Sequence, residues 1–168
     1  MNFCITGATS GLGRFLLEKL LRNSNYNFFL ISRNKEELKI IKDKYPSTKI
    51  YHANLSDLNT TKEIANKIVE ESGGKIDVFI CNAAEGSFGF LSDIPTENFI
   101  KDINVNYLSH LILIKAFYPL ILSRNFGHII NISSGTAIFG LKSTSSYSAS
   151  KSSIQNLIEV IYFENLNK

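Results

Sequence analysis

The amino-acid sequence predicts a doubly wound α/β domain built on a parallel sheet, and three observations carry that reading. Short β-type runs recur along the 168 residues with helix-length amphipathic segments between them. Two of the runs, Phe28-Phe29-Leu30-Ile31 and Val78-Phe79-Ile80-Cys81, are apolar without alternation, as expected of strands covered by helices on both faces. The first run also passes straight into a glycine-rich turn that opens a helical pattern.

Taken in order, Asn2–Thr6 is the first strand and Leu12–Arg22 the first helix. Phe28–Ser32 with Lys35–Lys44, and Lys49–His52 with Leu58–Glu71, repeat that unit, and Val78–Asn82 is the fourth strand. Pro95 and Thr96 mark a short extra helix start before Asn104, since proline suits a helix's first turn. Ile103–Leu122 is then a long helix, Gly127–Ser133 the fifth strand and Tyr147–Leu166 the last helix. Ligands of such sheets sit beyond the carboxyl ends of the strands, so the residues just after each strand are the functional candidates.

A chain of this length with 44% hydrophobic side chains suits one domain with a real core and is short for two, so residues 1–168 read as a single unit. The 18 Lys+Arg and 15 Asp+Glu leave +3, without the dense basic clusters of a nucleic-acid binder. Cys4 and Cys81 lie inside apolar runs without metal-ligand spacing and read as reduced core thiols of a cytoplasmic protein; no metal site is expected. No basic-then-apolar leader precedes Phe3, and Lys115 and Pro119 interrupt Leu111–Leu122, so neither a signal peptide nor a membrane-spanning helix is expected.

The turn after the first strand reads Thr6-Gly7-Ala8-Thr9-Ser10-Gly11-Leu12-Gly13. Glycine lets the backbone bend tightly and approach a pyrophosphate, while the amides and partial positive charge at the next helix N-terminus hold the anion. Gly7, Thr9, Ser10, Gly11, Leu12 and Gly13 are therefore candidate dinucleotide-binding residues. A plain strand-to-helix loop is the alternative, and the position after the very first strand favours the ligand. Where an NAD-selective domain presents Asp or Glu to the adenosine ribose, the second strand ends in Ser32-Arg33-Asn34. Arg33 can pair with a 2′-phosphate, so NADP(H) is favoured and NAD(H) stays possible, with Arg14 a second candidate cation. An exposed arginine opening a helix is the other reading of Arg33.

Tyr147-Ser148-Ala149-Ser150-Lys151 opens the last helical segment and puts a phenol and an ammonium on one helix face. An ordinary tyrosine, with a pKa of about 10, is a poor proton donor or acceptor near neutrality, and a fixed cation nearby favours the phenolate. A surface Tyr–Lys pair is the alternative. Ser134 ends the fifth strand, where its hydroxyl would enter the crevice and hydrogen-bond a substrate carbonyl; Ser133 competes but should face the other way. Asn106, taken alone, is a helix-start residue.

Together, the Gly7–Gly13 turn, Asn82-Ala83-Ala84 after the fourth strand, Val105-Asn106, Ser134, and Tyr147 with Lys151 resemble the short-chain dehydrogenase/reductase family in type, order and position. The resemblance spans nearly the whole chain. It implies a Rossmann-type fold and an NADP(H)-dependent oxidoreductase that interconverts a small-molecule carbonyl and an alcohol, hydride coming from the cofactor. By that resemblance Tyr147 is the general acid/base, Lys151 supplies its cation and holds the nicotinamide ribose, Ser134 orients the carbonyl and Asn106 supports a proton-relay water. Asn82, Ala83 and Ala84 would line the cofactor. The resemblance also implies a homo-oligomer in which helices 103–122 and 147–166 pair with their copies, although their apolar residues equally fit core packing.

The family usually shows Asn-Asn-Ala-Gly where this chain has Cys81-Asn82-Ala83-Ala84, so a methyl replaces the glycine of a close approach and adenosine binding is expected to weaken somewhat. Asn54, with Leu55 beside it, stands where the family commonly has an Asp that accepts from the adenine amino group, which an amide oxygen also does. The family continues past this point with a sixth strand, a turn to the nicotinamide, a substrate lid and a seventh strand. The chain is therefore expected to be C-terminally incomplete relative to it, with an exposed fifth strand and an open nicotinamide pocket. Two other classes of function are open: a non-catalytic nucleotide-binding or interaction protein derived from this fold, and a nucleotide-sugar epimerase or dehydratase of the related extended family, against which the glycine spacing argues.

Overall fold

A computed structural model describes residues 1–166. Its elements are β1 (Asn2–Thr6), α1 (Gly11–Leu20), β2 (Asn27–Ser32), α2 (Lys35–Lys44), β3 (Lys49–His52), α3 (Leu58–Glu71), β4 (Val78–Cys81), α4 (Thr96–Ile103), α5 (Ser109–Leu122), β5 (His128–Asn131) and α6 (Ser145–Asn165). The five strands form one parallel sheet in the order β3-β2-β1-β4-β5, with Phe3 opposite both Phe28 and Val78 in register. The chain winds outward from β1 through β2 to β3, then crosses back to β4 and β5. Its topological switch point thus lies between β1 and β4, where such sheets open a crevice at the carboxyl ends of the strands.

Period-two geometry explains the continuous apolar runs. Phe28 and Leu30 pack with Leu17, Leu38 and Ile41 under α1 and α2, while Phe29 and Ile31 pack with Ile68, Leu113, Phe117 and Ile154 under α3, α5 and α6. Neighbouring residues of one strand therefore serve opposite cores. Cys4 and Cys81, on β1 and β4, are buried in the second of these cores and remain free thiols. Asn34 and Asp57 accept backbone N–H groups at the starts of α2 and α3, which explains why those helices begin where the sequence predicts.

The structure departs from the predicted elements chiefly at the helix before Asn104 and at the ends of two strands. The short helix expected before Asn104 does not stop: α4 passes through a π turn at Asn104–Leu108 directly into α5, with the Ser109 N–H bonded to the Asn104 carbonyl. Pro119 lies inside α5, which runs to Leu122 as predicted. The continuous Thr96–Leu122 helix has the length and apolar composition to cross a membrane, and here it buries Leu113, Ile114 and Phe117 in the core. Both β4 and β5 end earlier than predicted. Asn82 leaves the ladder because its groups bond to the turn after β1, and β5 keeps one further bond, from the Ile132 N–H to the Cys81 carbonyl at 2.9 Å. Among the described residues β5 is a sheet edge, as expected, with Ile130 exposed.

Beneath the sheet, Asp77 ties three strands to the end of α5. Its carboxylate accepts the Asn2 N–H and the Arg124 guanidinium, each at 2.7 Å, and its carbonyl accepts the His128 N–H at 2.8 Å. Burial pushes this carboxyl up, but the Asn2 N–H and the Arg124 guanidinium outweigh burial and hold it below the ordinary aspartate range. Its stabilisation is therefore full above the unfolded value, about pH 3.9, and is lost as pH falls through the lower folded value. An Asp77→Asn variant should lose about 1.5–3 kcal/mol at pH 7, the worth of a hydrogen bond to a charged group. In urea unfolding at a series of pH values, its deficit should shrink below about pH 4; a deficit unchanged by pH would contradict this account.

Candidate active site

Gly7 takes φ +67, and a Cβ there would stand 2.8 Å from Asn82 Nδ2 and 2.9 Å from Ala83 Cα. A Cβ on Gly13 would strike the Gly7 carbonyl oxygen. Both glycines thus let the turn after β1 nest against the strand-end loop after β4. Asn82 Nδ2 donates to the carbonyls of Thr6 and Gly7 at 3.0 and 3.1 Å, and the Thr6 hydroxyl oxygen accepts the N–H groups of Asn82 and Ala83, both at 3.0 Å. Across the turn, Thr9 and Ser32 share a hydroxyl hydrogen bond of 2.6 Å.

A cavity of about 450 Å³ opens above these ties, lined by Gly7, Thr9, Ser10, Arg33, Asn54, Leu55, Asn82, Ala83 and Ala84. Sequence reading placed all of these at a dinucleotide. Of the remaining glycine-turn candidates, Gly11 and Leu12 begin α1 outside the lining, and Gly13 is buried beneath it. Ser10, the N-cap of α1, forms no side-chain cap, so the helix presents its first-turn amides uncapped beside the cavity. With the clearance that Gly7 and Gly13 provide, these residues fit the pyrophosphate of a dinucleotide. Asn54 Oδ1 accepts the Ser56 N–H at 3.1 Å and keeps a second lone pair.

The two candidate cations are both engaged. Arg14 lies outside the cavity lining, where Glu18 and Glu37 hold it at 2.8 and 3.2 Å. Arg33 lines the cavity but pairs at 3.0 Å with Glu85, whose other carboxylate oxygen takes Lys101 Nζ at 2.5 Å.

The first turns of α6 carry Tyr147 and Lys151. Lys151 is buried, donates from Nζ to the Ile132 carbonyl at 2.7 Å and lies 6.0 Å from the centre of the Tyr147 ring. Burial pulls its pKa down from the ordinary lysine range. The Tyr147 ring packs on Phe88, centroids 5.6 Å apart, beneath Gly86, where a Cβ would come within 2.8 Å of the tyrosine ring. Ser134 stands just beyond β5, and its hydroxyl faces Thr136: it accepts the Thr136 N–H at 3.2 Å and lies 3.0 Å from that residue's hydroxyl. Ser133 is exposed.

Asn106 does more than start a helix. Buried at the π turn, its Oδ1 accepts the Glu85 N–H at 2.8 Å, and its Nδ2 donates to the Glu85 carbonyl at 2.6 Å and to Ser150 Oγ at 2.8 Å. Both amide hydrogens are thereby used, leaving the side chain one Oδ1 lone pair. Asp102, one turn earlier, accepts the Ser87 N–H at 2.7 Å and the Ser146 hydroxyl at 2.5 Å. One turn later, His110 Nδ1 lies 3.2 Å from the Asn106 carbonyl and Nε2 lies 2.9 Å from the Thr6 hydroxyl. That pattern assigns the proton to Nδ1, with Nε2 accepting from Thr6.

Sequence reasoning missed Thr6, Asp102 and His110. The last two carried a signal, since Asp102, Asn106 and His110 recur every four residues on one helix face.

Residues 2–168 match the family model described as short chain dehydrogenase, and the chain belongs to that family. Its five-stranded parallel sheet flanked by helices is of the Rossmann type. The chain is 31% identical over 170 residues to epidermal retinol dehydrogenase 2 of Mus musculus, covering 98% of itself and 54% of that protein. It is also similar to a metagenomic short-chain oxidoreductase solved in complex with NADP, with a TM-score of 0.89 at 26% identity over 98% of this chain and 76% of that one. A short chain dehydrogenase/reductase from Burkholderia phymatum in complex with NAD superposes with a TM-score of 0.88 at 25% identity, over 99% of this chain and 60% of that one.

Burial pushes the His110 pKa from 6.5 down to about 4, so the ring is neutral near pH 7. The unfolded chain takes up this proton first as pH falls. Stability from His110 is thus full above about pH 6.5 and declines by up to about 1.4 kcal/mol per pH unit until the folded value is passed. We expect His110→Gln to lower stability at pH 7 by about 1–2 kcal/mol. Urea unfolding should also show a flatter pH profile for the variant than for the natural chain between pH 6.5 and 4. Parallel profiles would contradict the neutral, doubly bonded imidazole.

Proposed function

We propose that this chain acts in an oxidoreductase that interconverts a carbonyl and an alcohol on a small molecule with a nicotinamide dinucleotide, NADP(H) being preferred. One observation carries the reading: α6 presents Tyr147 and a buried, anchored Lys151 on one face, at the same end of the sheet as the cavity with its uncapped helix and glycine turn. The NADP and NAD bound to similar proteins support the cofactor class, and Arg33 in the lining supports a 2′-phosphate.

When bound, the dinucleotide supplies or accepts hydride. This chain's residues would do the rest. Tyr147 gives its phenolic proton to the substrate oxygen in reduction and takes one back in oxidation. Lys151, fixed by the Ile132 carbonyl, is the cation that stabilises the resulting phenolate. Ser134 donates to the carbonyl oxygen, which requires its hydroxyl to turn from Thr136. Asn106 holds the Glu85 loop against α6, and a remaining oxygen lone pair is what it has left to offer a water. Phe88 covers one side of the tyrosine ring and limits water there.

A non-catalytic nucleotide-binding role is the second reading, favoured by the direction of the Ser134 hydroxyl. Thermal unfolding with and without dinucleotide separates the two when paired with turnover. A dinucleotide at about 100 times its Kd should add roughly 2.7 kcal/mol to the stability of both the natural chain and Tyr147→Phe. Against a panel of aldehydes and ketones, Tyr147→Phe should lose at least about 100-fold in rate. Binding with no turnover in the natural chain would favour the second reading, and no stabilisation by either dinucleotide would defeat both.

A further inference from the structure

We infer that Glu85 sets how strongly the cleft prefers a 2′-phosphorylated adenosine ribose, by competing with that phosphate for Arg33. The inference rests on the dinucleotide reading and goes beyond it, to a carboxylate on a loop that the proposed chemistry does not use.

Glu85 follows the strand-end loop after β4, and Arg33 follows β2. Those strands flank β1, so their 3.0 Å ion pair crosses the sheet directly above the glycine turn, and both residues line the cavity. The two partners are unequally held. Glu85 has its N–H and carbonyl clamped by the Asn106 side chain, and its side chain is 23% exposed. Arg33 is 67% exposed and has no second ion-pair partner among the described residues. The carboxylate is thus the fixed member and the guanidinium the movable one.

A 2′-phosphate that recruits Arg33 must take it from Glu85, and its negative charge also faces the carboxylate it displaces. An unphosphorylated ribose makes no such demand, and the ion pair can persist beside it. Lys101 makes the exchange accessible, because it stays on the other carboxylate oxygen after Arg33 departs. Glu85 therefore weakens binding of the phosphorylated dinucleotide selectively, and Lys101 moderates that effect. Specificity here includes a repulsive element beside the attractive one.

The test is the dissociation constant of NADPH and of NADH, read by fluorescence titration on the natural chain, Glu85→Gln, Lys101→Met and Arg33→Gln. Glu85→Gln should tighten NADPH by roughly threefold or more, in keeping with an exposed ion pair, and change NADH by less than about twofold. Lys101→Met should move NADPH the opposite way, since it leaves Arg33 as the carboxylate's sole cation. In the Arg33→Gln background, Glu85→Gln should lose most of its selective effect. A merely structural Glu85 would not give opposite signs for the two single changes. Equal shifts for both dinucleotides, or none, would overturn the inference while leaving the dinucleotide reading intact. Absence of binding by either dinucleotide to any variant would overturn the reading and the inference together.

Discussion

Buried polar groups must find partners, and three of them share one helix face: Asp102, Asn106 and His110, all nearly inaccessible to solvent. Each finds its partner in a different part of the chain. Asp102 reaches the Ser87 backbone and the start of α6, Asn106 reaches Glu85 and Ser150, and His110 reaches Thr6 at the end of β1. The stripe thereby fixes the glycine turn, the loop after β4 and the Tyr147 helix relative to one another. An apolar helix of the same shape would fill the core equally well and leave those three pieces unregistered. The π turn sits at the middle of the stripe, as such distortions often do at functional positions.

The parallel sheet and most of the residues lining the cavity were legible in the sequence because their signals are local. A strand covered on both faces is apolar at every residue, as Phe28–Ile31 shows, and a turn that must pass close to another backbone needs glycine, as Gly7 shows. The strand ends were less legible. Asn82 looks like one more residue of β4, yet its backbone and side chain are taken by Thr6 and Gly7, residues more than seventy positions away. Similarly, Pro95 signals a helix start correctly, while nothing in the intervening residues announces that the helix runs on into α5.

Charge was the least legible layer. Arg33 and Arg14 are visible as cations, but whether a cation is free depends on carboxylates brought to it by folding. For Arg33 that carboxylate is 52 residues away, and for Arg14 one of the two is 23 away. Ser134 shows the same limit for hydroxyls: its place after β5 follows from the strand, and its direction is set by Thr136, two residues on.

The two cysteines have a practical consequence. Both lie inside the core between the sheet and helices α3, α5 and α6, and burial pushes both thiols up, away from the reactive thiolate. A soluble alkylating reagent can reach them when that core parts. The chain thus carries its own clock for opening: the rate at which Cys4 and Cys81 are labelled measures how often the sheet and its helices separate, without any residue being changed.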